Sequence, residues 1–179
     1  MEMPFSKTSH IEVIKTIANG MNKAGFNDNY LELGISKGKC FNEIAPLFKI
    51  ATAVDNQNKS FDYISKNKNI SWNYCNTDSF FLNNNKKFDL IFIDADHSFN
   101  TSMKDFENSF NCLNDWGIIC MHDTYPPNKD FLAHSKDSYK VPLSLWKNKH
   151  NKCELVTLPF YYGVTIIRKI NVKKYLHWM

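Results

Sequence analysis

The chain has 179 residues, 43% of them hydrophobic and 22% charged, a length suited to one domain and an apolar share that excludes a wholly disordered chain. Lys and Arg number 22 against 18 Asp and Glu, a net charge of +4, too mild to specify a nucleic-acid or membrane partner. Every basic residue except Arg168 is Lys, and bidentate base readout leans on Arg, so sequence-specific nucleic-acid binding is disfavoured.

Ile11, Ile14, Ile17, Ala18 and Met21 fall at helical spacing. Ser9 and Glu12 form a capping-box pair ahead of them, and Gly25 closes the segment, so a helix is expected over about 9–25. Tyr30 to Leu33 reads as a first strand ending at Gly34, Cys40 to Phe48 as a helix, and Ile50 to Val54 as a second strand stopped by Asp55. Phe61 to Ser65 suggests a short helix and Ile70 to Cys75 a third strand. Phe88 to Ile93 is a continuous apolar run, as in a parallel strand covered on both faces. Met103, Phe106, Phe110 and Leu113 then stripe a helix, and Gly117 to Met121 is a fifth strand. Pro127 to Lys140 is polar and has no clear period, while Pro142 to Lys149 reads as a helix with an early proline. Leu155 to Leu158 and Val164 to Ile167 are too close for a helical crossover and predict an antiparallel hairpin. The pattern specifies an α/β fold with a mostly parallel sheet. One domain is expected over 1–179, its core at about 29–169, followed by a short C-terminal tail.

The five cysteines are an odd set with no Cys-x-x-Cys pair, which argues against a disulfide framework or zinc knuckle and for buried thiols in a reducing compartment. The opening MEMPFSKTSH lacks a signal-peptide apolar stretch, and no apolar run nears the ~20 residues of a membrane span. A soluble, cytoplasmic protein is the expectation.

In such a sheet ligands bind beyond the carboxyl ends of the strands. Six of the 18 acidic residues collect there: Glu32, Asp55, Asp78, Asp94, Asp96 and Asp123, with His97 and His122 beside them. Singly, an Asp after a strand often caps the next helix, and for Asp78 or Asp96 the cap and the ligand contact are equally open. The first turn, Glu32-Leu-Gly34-Ile-Ser-Lys-Gly38, suits close approach of backbone to a ligand. It is neither a dinucleotide fingerprint, having Ser36 and Lys39 where glycines are needed, nor a P-loop, having three residues between its glycines.

Glu32-x-Gly34-x-x-x-Gly38, Asp55, Asp78 and Phe88-Asp-Leu-Ile-Phe-Ile-Asp-Ala-Asp-His97 together resemble a class I S-adenosylmethionine-dependent methyltransferase, over about Tyr30 to Lys169. The small-molecule O-methyltransferase branch is the nearest pattern, since its fourth strand often ends in Asp-x-Asp-His-Ser-Tyr, where this chain has Asp94-Ala-Asp-His-Ser-Phe99. The resemblance implies a Rossmann-like, doubly wound, seven-stranded sheet with a reversed strand in its C-terminal hairpin. It implies S-adenosyl-L-methionine as cofactor, held by Glu32, Gly34, Gly38, Asp55, Asp78, Ser79, Phe80 and Asp94. Asp55 would accept from the two ribose hydroxyls, Asp78 from the adenine amino group, and Phe80 would pack on the ring.

In metal-dependent relatives an Asp ending strand four and an Asp-Asn pair after strand five hold a divalent cation. Asp94 and Asp123 match, with His122 or Thr124 at the neighbouring positions, a set that would hold Mg²⁺ or another divalent cation through two carboxylates and waters. Asp94 and His97 are the candidate catalytic residues, His97 standing where the family places a base. The residues alone leave open whether His97 is that base or bonds the following loop, and whether a metal is used. The expected partner is a small-molecule acceptor, walled by Trp146 and Pro126-Pro127, and a homodimer is left open. A nucleotide-sugar glycosyltransferase using Asp94 and Asp96, or a non-catalytic cofactor-binding relic, are the competing readings. His10, His134, His150 and His177 read as surface residues, and Tyr161, Tyr162 and Trp178 as packing aromatics.

Overall fold

A computed structural model describes residues 8–148 and 152–170. The elements run α1 (His10–Lys23), β1 (Asn29–Leu33), α2 (Lys39–Ile44), β2 (Ile50–Asp55), β3 (Ile70–Tyr74), α3 (Thr77–Asn83), β4 (Phe88–Ile93), α4 (Phe99–Cys112), β5 (Leu113–His122), α5 (Leu132–Ser135), α6 (Lys140–Lys147), β6 (Cys153–Leu158) and β7 (Val164–Lys169). The strands form one seven-stranded sheet in the order β3-β2-β1-β4-β5-β7-β6. The first five are parallel; β7 runs antiparallel to both β5 and β6. This is the expected Rossmann-like architecture with its C-terminal hairpin.

Alternation along the central strands divides the core. Tyr30, Ala51, Ala53, Leu90 and Phe92 face Ile14, Ala18 and Met21 of α1 and Phe41 and Ile44 of α2. Leu31, Leu33, Val54, Ile91, Ile93 and Met121 face the other way, onto Phe80, Phe106, Val141 and Leu145 of α3, α4 and α6. Strands buried on both faces carry near-continuous apolar runs, which is why β4 reads as it does. Helix α1 opens with the expected box: Glu12 N donates to Ser9 Oγ (3.3 Å) and Ser9 N to Glu12 Oε2 (2.7 Å).

The single helix expected over Cys40 to Phe48 is instead α2 followed by a 3-10 turn at Ala45–Leu47, because Pro46 has no N–H to continue the ladder. The short helix expected at Phe61 to Ser65 is a 3-10 turn at Asn58–Tyr63. Helix α3 has no apolar period to mark it in the sequence; Asn76 starts it, its Oδ1 accepting from Ser79 N at 2.8 Å. The segment without clear period contains a 3-10 turn at Lys129–Phe131 and α5. Lys149, His150, His177 and Trp178 lie outside the described residues. No helix among the described residues is long and apolar enough to cross a membrane.

Candidate functional site

Strand order reverses between β1 and β4, and a cavity of about 690 Å³ opens beyond the carboxyl ends of β1 to β5. Its floor depends on Gly34, whose φ of +83° and closeness to β4 exclude a side chain: a Cβ would lie 2.2 Å from the Asp94 carbonyl oxygen. Asp55, ending β2, braces the same turn. Its Oδ2 accepts from Ile35 N (2.8 Å), Ser36 N (3.0 Å) and Ser60 Oγ (3.1 Å), while Oδ1 accepts from Gln57 N (2.7 Å). A carboxylate offers about four lone-pair sites shared between its oxygens, so only Oδ1 keeps capacity for a ligand.

The ends of β4 and β5 bring four ionisable side chains together at the cavity wall. His97 Nδ1 donates to Asp123 Oδ2 at 2.7 Å. His122 Nε2 donates to the Tyr161 carbonyl at 2.8 Å, and its Nδ1 lies 3.1 Å from Asp94 Oδ1 and 3.7 Å from Asp123 Oδ1. The hydrogen bond to Asp123 raises the His97 pKa above 6.5, against the opposing effect of burial. Burial also works against charge on His122, but Asp94, Asp123 and the Tyr161 carbonyl outweigh it and hold the ring up to about 9. Burial acts to raise Asp123, and the two imidazoles overcome it and keep its carboxyl below the usual range.

Surrounding segments hold this group in place through the main chain. Asp137 N donates to the His97 carbonyl at 2.9 Å, and Ser138 Oγ to the Asp123 carbonyl at 2.9 Å. Asp123 itself has a φ of +57°, a left-handed conformation that Asp tolerates better than most residues. The β6–β7 turn is left-handed at Tyr161 (φ +44°) and Tyr162 (φ +68°), and its Tyr162 carbonyl accepts from Tyr125 N at 2.8 Å. Gly163 lets the turn approach so closely that a Cβ there would lie 2.2 Å from Tyr125 N.

Of the residues singled out in the sequence, Gly34, Asp55, Asp94, Asp96, His97, His122 and Asp123 line the cavity. Others are placed elsewhere. Glu32 is buried beneath the floor, hydrogen-bonded by the Tyr30 hydroxyl, and burial pushes its carboxyl up to about 8. Gly38 is the left-handed residue that starts α2. Asp78 pairs with Lys104 at 2.7 Å on the surface, and the cavity at this end is lined by Asn76 and Thr77. Ser79 and Phe80 belong to a separate depression of about 270 Å³. Asp96, which does line the cavity, has its Oδ1 accepting from Ser98 N at 2.7 Å, an Asx turn just ahead of α4, whose N-cap is Ser98. Thr124 is buried and its hydroxyl has no hydrogen-bond partner. Neither Trp146, 70% exposed on α6, nor Pro126-Pro127 lines the cavity; Tyr162 does.

His10 corrects the sequence reading most. Its ring lies 4.1 Å from that of His122, centroid to centroid, and burial drives its pKa down to about 4. A local pattern shows only the first residue of an amphipathic helix; the ring contact depends on where α1 docks. The side chain of His134 lies outside the described set.

A methyltransferase-domain sequence profile matches residues 31–124. No curated protein sequence matches the chain. Among solved structures, a Staphylococcus aureus protein provisionally assigned as a caffeoyl-CoA O-methyltransferase superposes with a TM-score of 0.71 at 21% identity, covering 94% of this chain and 87% of that one. An O-methyltransferase from Bacillus cereus in complex with SAH gives 0.70 at 16% identity, covering 93% and 84%. An rRNA methylase from Streptococcus thermophilus gives 0.67 at 11% identity, covering 93% and 99%. Identities this low carry the fold and leave the acceptor open, since these names alone include both small-molecule and RNA methylation. The profile spans more than half of the sequence, and the fold around it is that of the class I enzymes: the chain belongs to the methyltransferase-domain family.

Proposed function

We propose that the protein transfers a methyl group from S-adenosylmethionine to a hydroxyl of a small-molecule acceptor, with His97 as general base. The observation that carries this reading is the 2.7 Å bond from His97 Nδ1 to Asp123 Oδ2 at the cavity wall. It fixes the neutral tautomer with Nε2 unprotonated and free to take the acceptor's proton, and Asp123 stabilises the imidazolium that results.

The cavity suits this cofactor in size and lining. Its polar lining at Asn76 and Thr77 would meet adenine, Asp55 Oδ1 with Asn56 and Gln57 the ribose, and the Gly34–Ser36 turn with Asp94 the cationic amino-acid end. When bound, the cofactor supplies an electrophilic methyl group. The residues on this side of the reaction align the acceptor oxygen, remove its proton and exclude water, with Tyr162 closing the wall. Asp94 and Asp123 do come together, with His97, as a group that could hold a metal ion, but Asp123 Oδ2 is already engaged by His97 and Thr124 does not line the cavity, so the oxygen set that Mg²⁺ prefers is incomplete. Asp96 Oδ1 is engaged by Ser98 N in the turn before α4, which leaves fewer free oxygens for the metal-holding role that a glycosyl-transfer reading of Asp94 and Asp96 needs.

The test is calorimetry with S-adenosylhomocysteine, followed by labelled methyl transfer to a panel of phenols and sugars. Binding and turnover on a hydroxyl acceptor are expected. Binding of UDP-glucose with no affinity for the homocysteine ligand would overturn the reading.

A further inference from the structure

We infer that His10, His122 and Asp94 form a binding site for a borderline transition-metal ion of the Zn²⁺ or Co²⁺ kind, selected over Mg²⁺. One ligand atom from each of the three side chains lies within 4.8 Å of the others. His122 Nδ1 and Asp94 Oδ1 are 3.1 Å apart, close to the ~3.4 Å that separates two ligands each ~2.1 Å from a tetrahedral ion. The remaining separations, none above 4.8 Å, would have to shorten for one ion to be held by all three.

Two further features point the same way. His122 Nε2 donates to the Tyr161 carbonyl at 2.8 Å, the outer bond by which ligating histidines are commonly oriented, and it leaves Nδ1 facing the ion. His10 Nδ1 is buried with no hydrogen-bond partner, an arrangement that wastes a polar atom unless a ligand completes it. Asp94 and His122 also line the open cavity, so an ion has a path from solvent.

The donor set decides the kind of ion. Two imidazole nitrogens and one carboxylate suit Zn²⁺, Co²⁺ and their neighbours, whereas Mg²⁺ requires near-octahedral oxygen. The carboxylates that would attract a proton to His122 attract a metal cation in its place. Two of the three ligands lie at strand ends; His10 comes from α1, outside the stretch matched by the family profile.

The test uses the full chain stripped with chelator. Expected are one Co²⁺ bound per chain with visible d–d absorption, a melting-temperature increase with Zn²⁺, and no response to Mg²⁺. His10→Ala should weaken Co²⁺ binding by about 10–100-fold; His10→Asn gives the same reading should the alanine variant fold poorly. No Co²⁺ binding, Mg²⁺ binding as tight as Zn²⁺, or wild-type Co²⁺ affinity in both His10 variants would each overturn the site. Calorimetry with S-adenosylhomocysteine on the same samples separates the outcomes: retained binding without a Co²⁺ site removes the metal and leaves the methyl-transfer reading standing.

Discussion

Asp123 accepts a 2.7 Å hydrogen bond from His97 while its own backbone sits at a φ of +57°, so the residue that orients the imidazole is itself held in an uncommon conformation. The strain is local, and the Ser138 hydroxyl on the Asp123 carbonyl helps to hold it. In the proposed reaction His97→Ala lowers the catalytic rate by roughly a hundredfold or more, the scale of a lost general base. Affinity for S-adenosylhomocysteine stays near wild type, because the ring is assigned to the acceptor. A variant with unchanged turnover on the true acceptor would reduce His97 to a turn residue.

The pH profile follows from the same bond. His97 has its pKa raised above 6.5 by Asp123, so the unprotonated base is lost as pH falls through that raised value, and turnover falls with it. Asp123→Asn removes the negative charge and should move this limb of the profile toward lower pH while reducing the rate. Stability has the opposite sign: the extra stability from charged His97 is fully present below pH 6.5 and is lost as pH rises through the folded value. Rate profiles of both proteins, with melting temperatures over the same range, check the two trends.

Asp105 is fully buried in α4, and burial pushes its pKa from 3.8 up to about 6, the nearby Thr77 hydroxyl offsetting only part of the effect. A raised carboxyl pKa means that folding favours the protonated form. Stability is therefore lost as pH rises from about 4 to about 6, with a cost on the order of 2–3 kcal/mol once the group is ionised. Asp105→Asn should abolish this component, and denaturant melts at pH 5 and pH 7.5 should diverge less for the variant than for the parent. Equal divergence would assign the pH dependence to other groups.

Gly34→Ala combines a φ of +83° with a Cβ 2.2 Å from the Asp94 carbonyl oxygen. A left-handed alanine and an overpacked backbone contact together cost roughly 2–5 kcal/mol. Thermal melts should show a marked loss of stability, and any folded fraction should bind S-adenosylhomocysteine poorly, because the turn must withdraw from β4. Near-wild-type melting and binding would show that the turn has room to move.

Asp55→Ala should weaken S-adenosylhomocysteine binding by ~1–3 kcal/mol. It should also lower the melting temperature, since four protein donors converge on this carboxylate. Weakened binding without any loss of stability would mean that the loop is anchored elsewhere.

What was legible in the sequence had a local cause. The β4 run reads as buried because both its faces are covered, and the Ser9–Glu12 box reads as a helix start because its bonds span three residues. The strand-end acids were legible as a group because parallel connectivity delivers every strand end to one edge. The individual assignments were harder. Asp78 sits in the first turn of α3, just past the end of β3, but turns outward to Lys104, 26 residues later. His10 joins the site only through the docking of α1, and the 127–140 segment shows no period because its short turns are shaped around His97 and Asp123.

The reversed direction of β7 has a consequence for how such a pocket diversifies. Val164, the first residue of β7, pairs with His122, the last residue of β5. A parallel strand in that position would have brought its preceding loop to the opposite edge of the sheet. Reversal instead places a five-residue tip, Pro159 to Gly163, beside His122 and Asp123, far along the chain from the turns at Gly34, Asp55 and Asn76. In the proposed enzyme the two substrates are thus met by stretches of sequence that can change independently, and remodelling this tip alters which acceptor is admitted while leaving the cofactor half untouched.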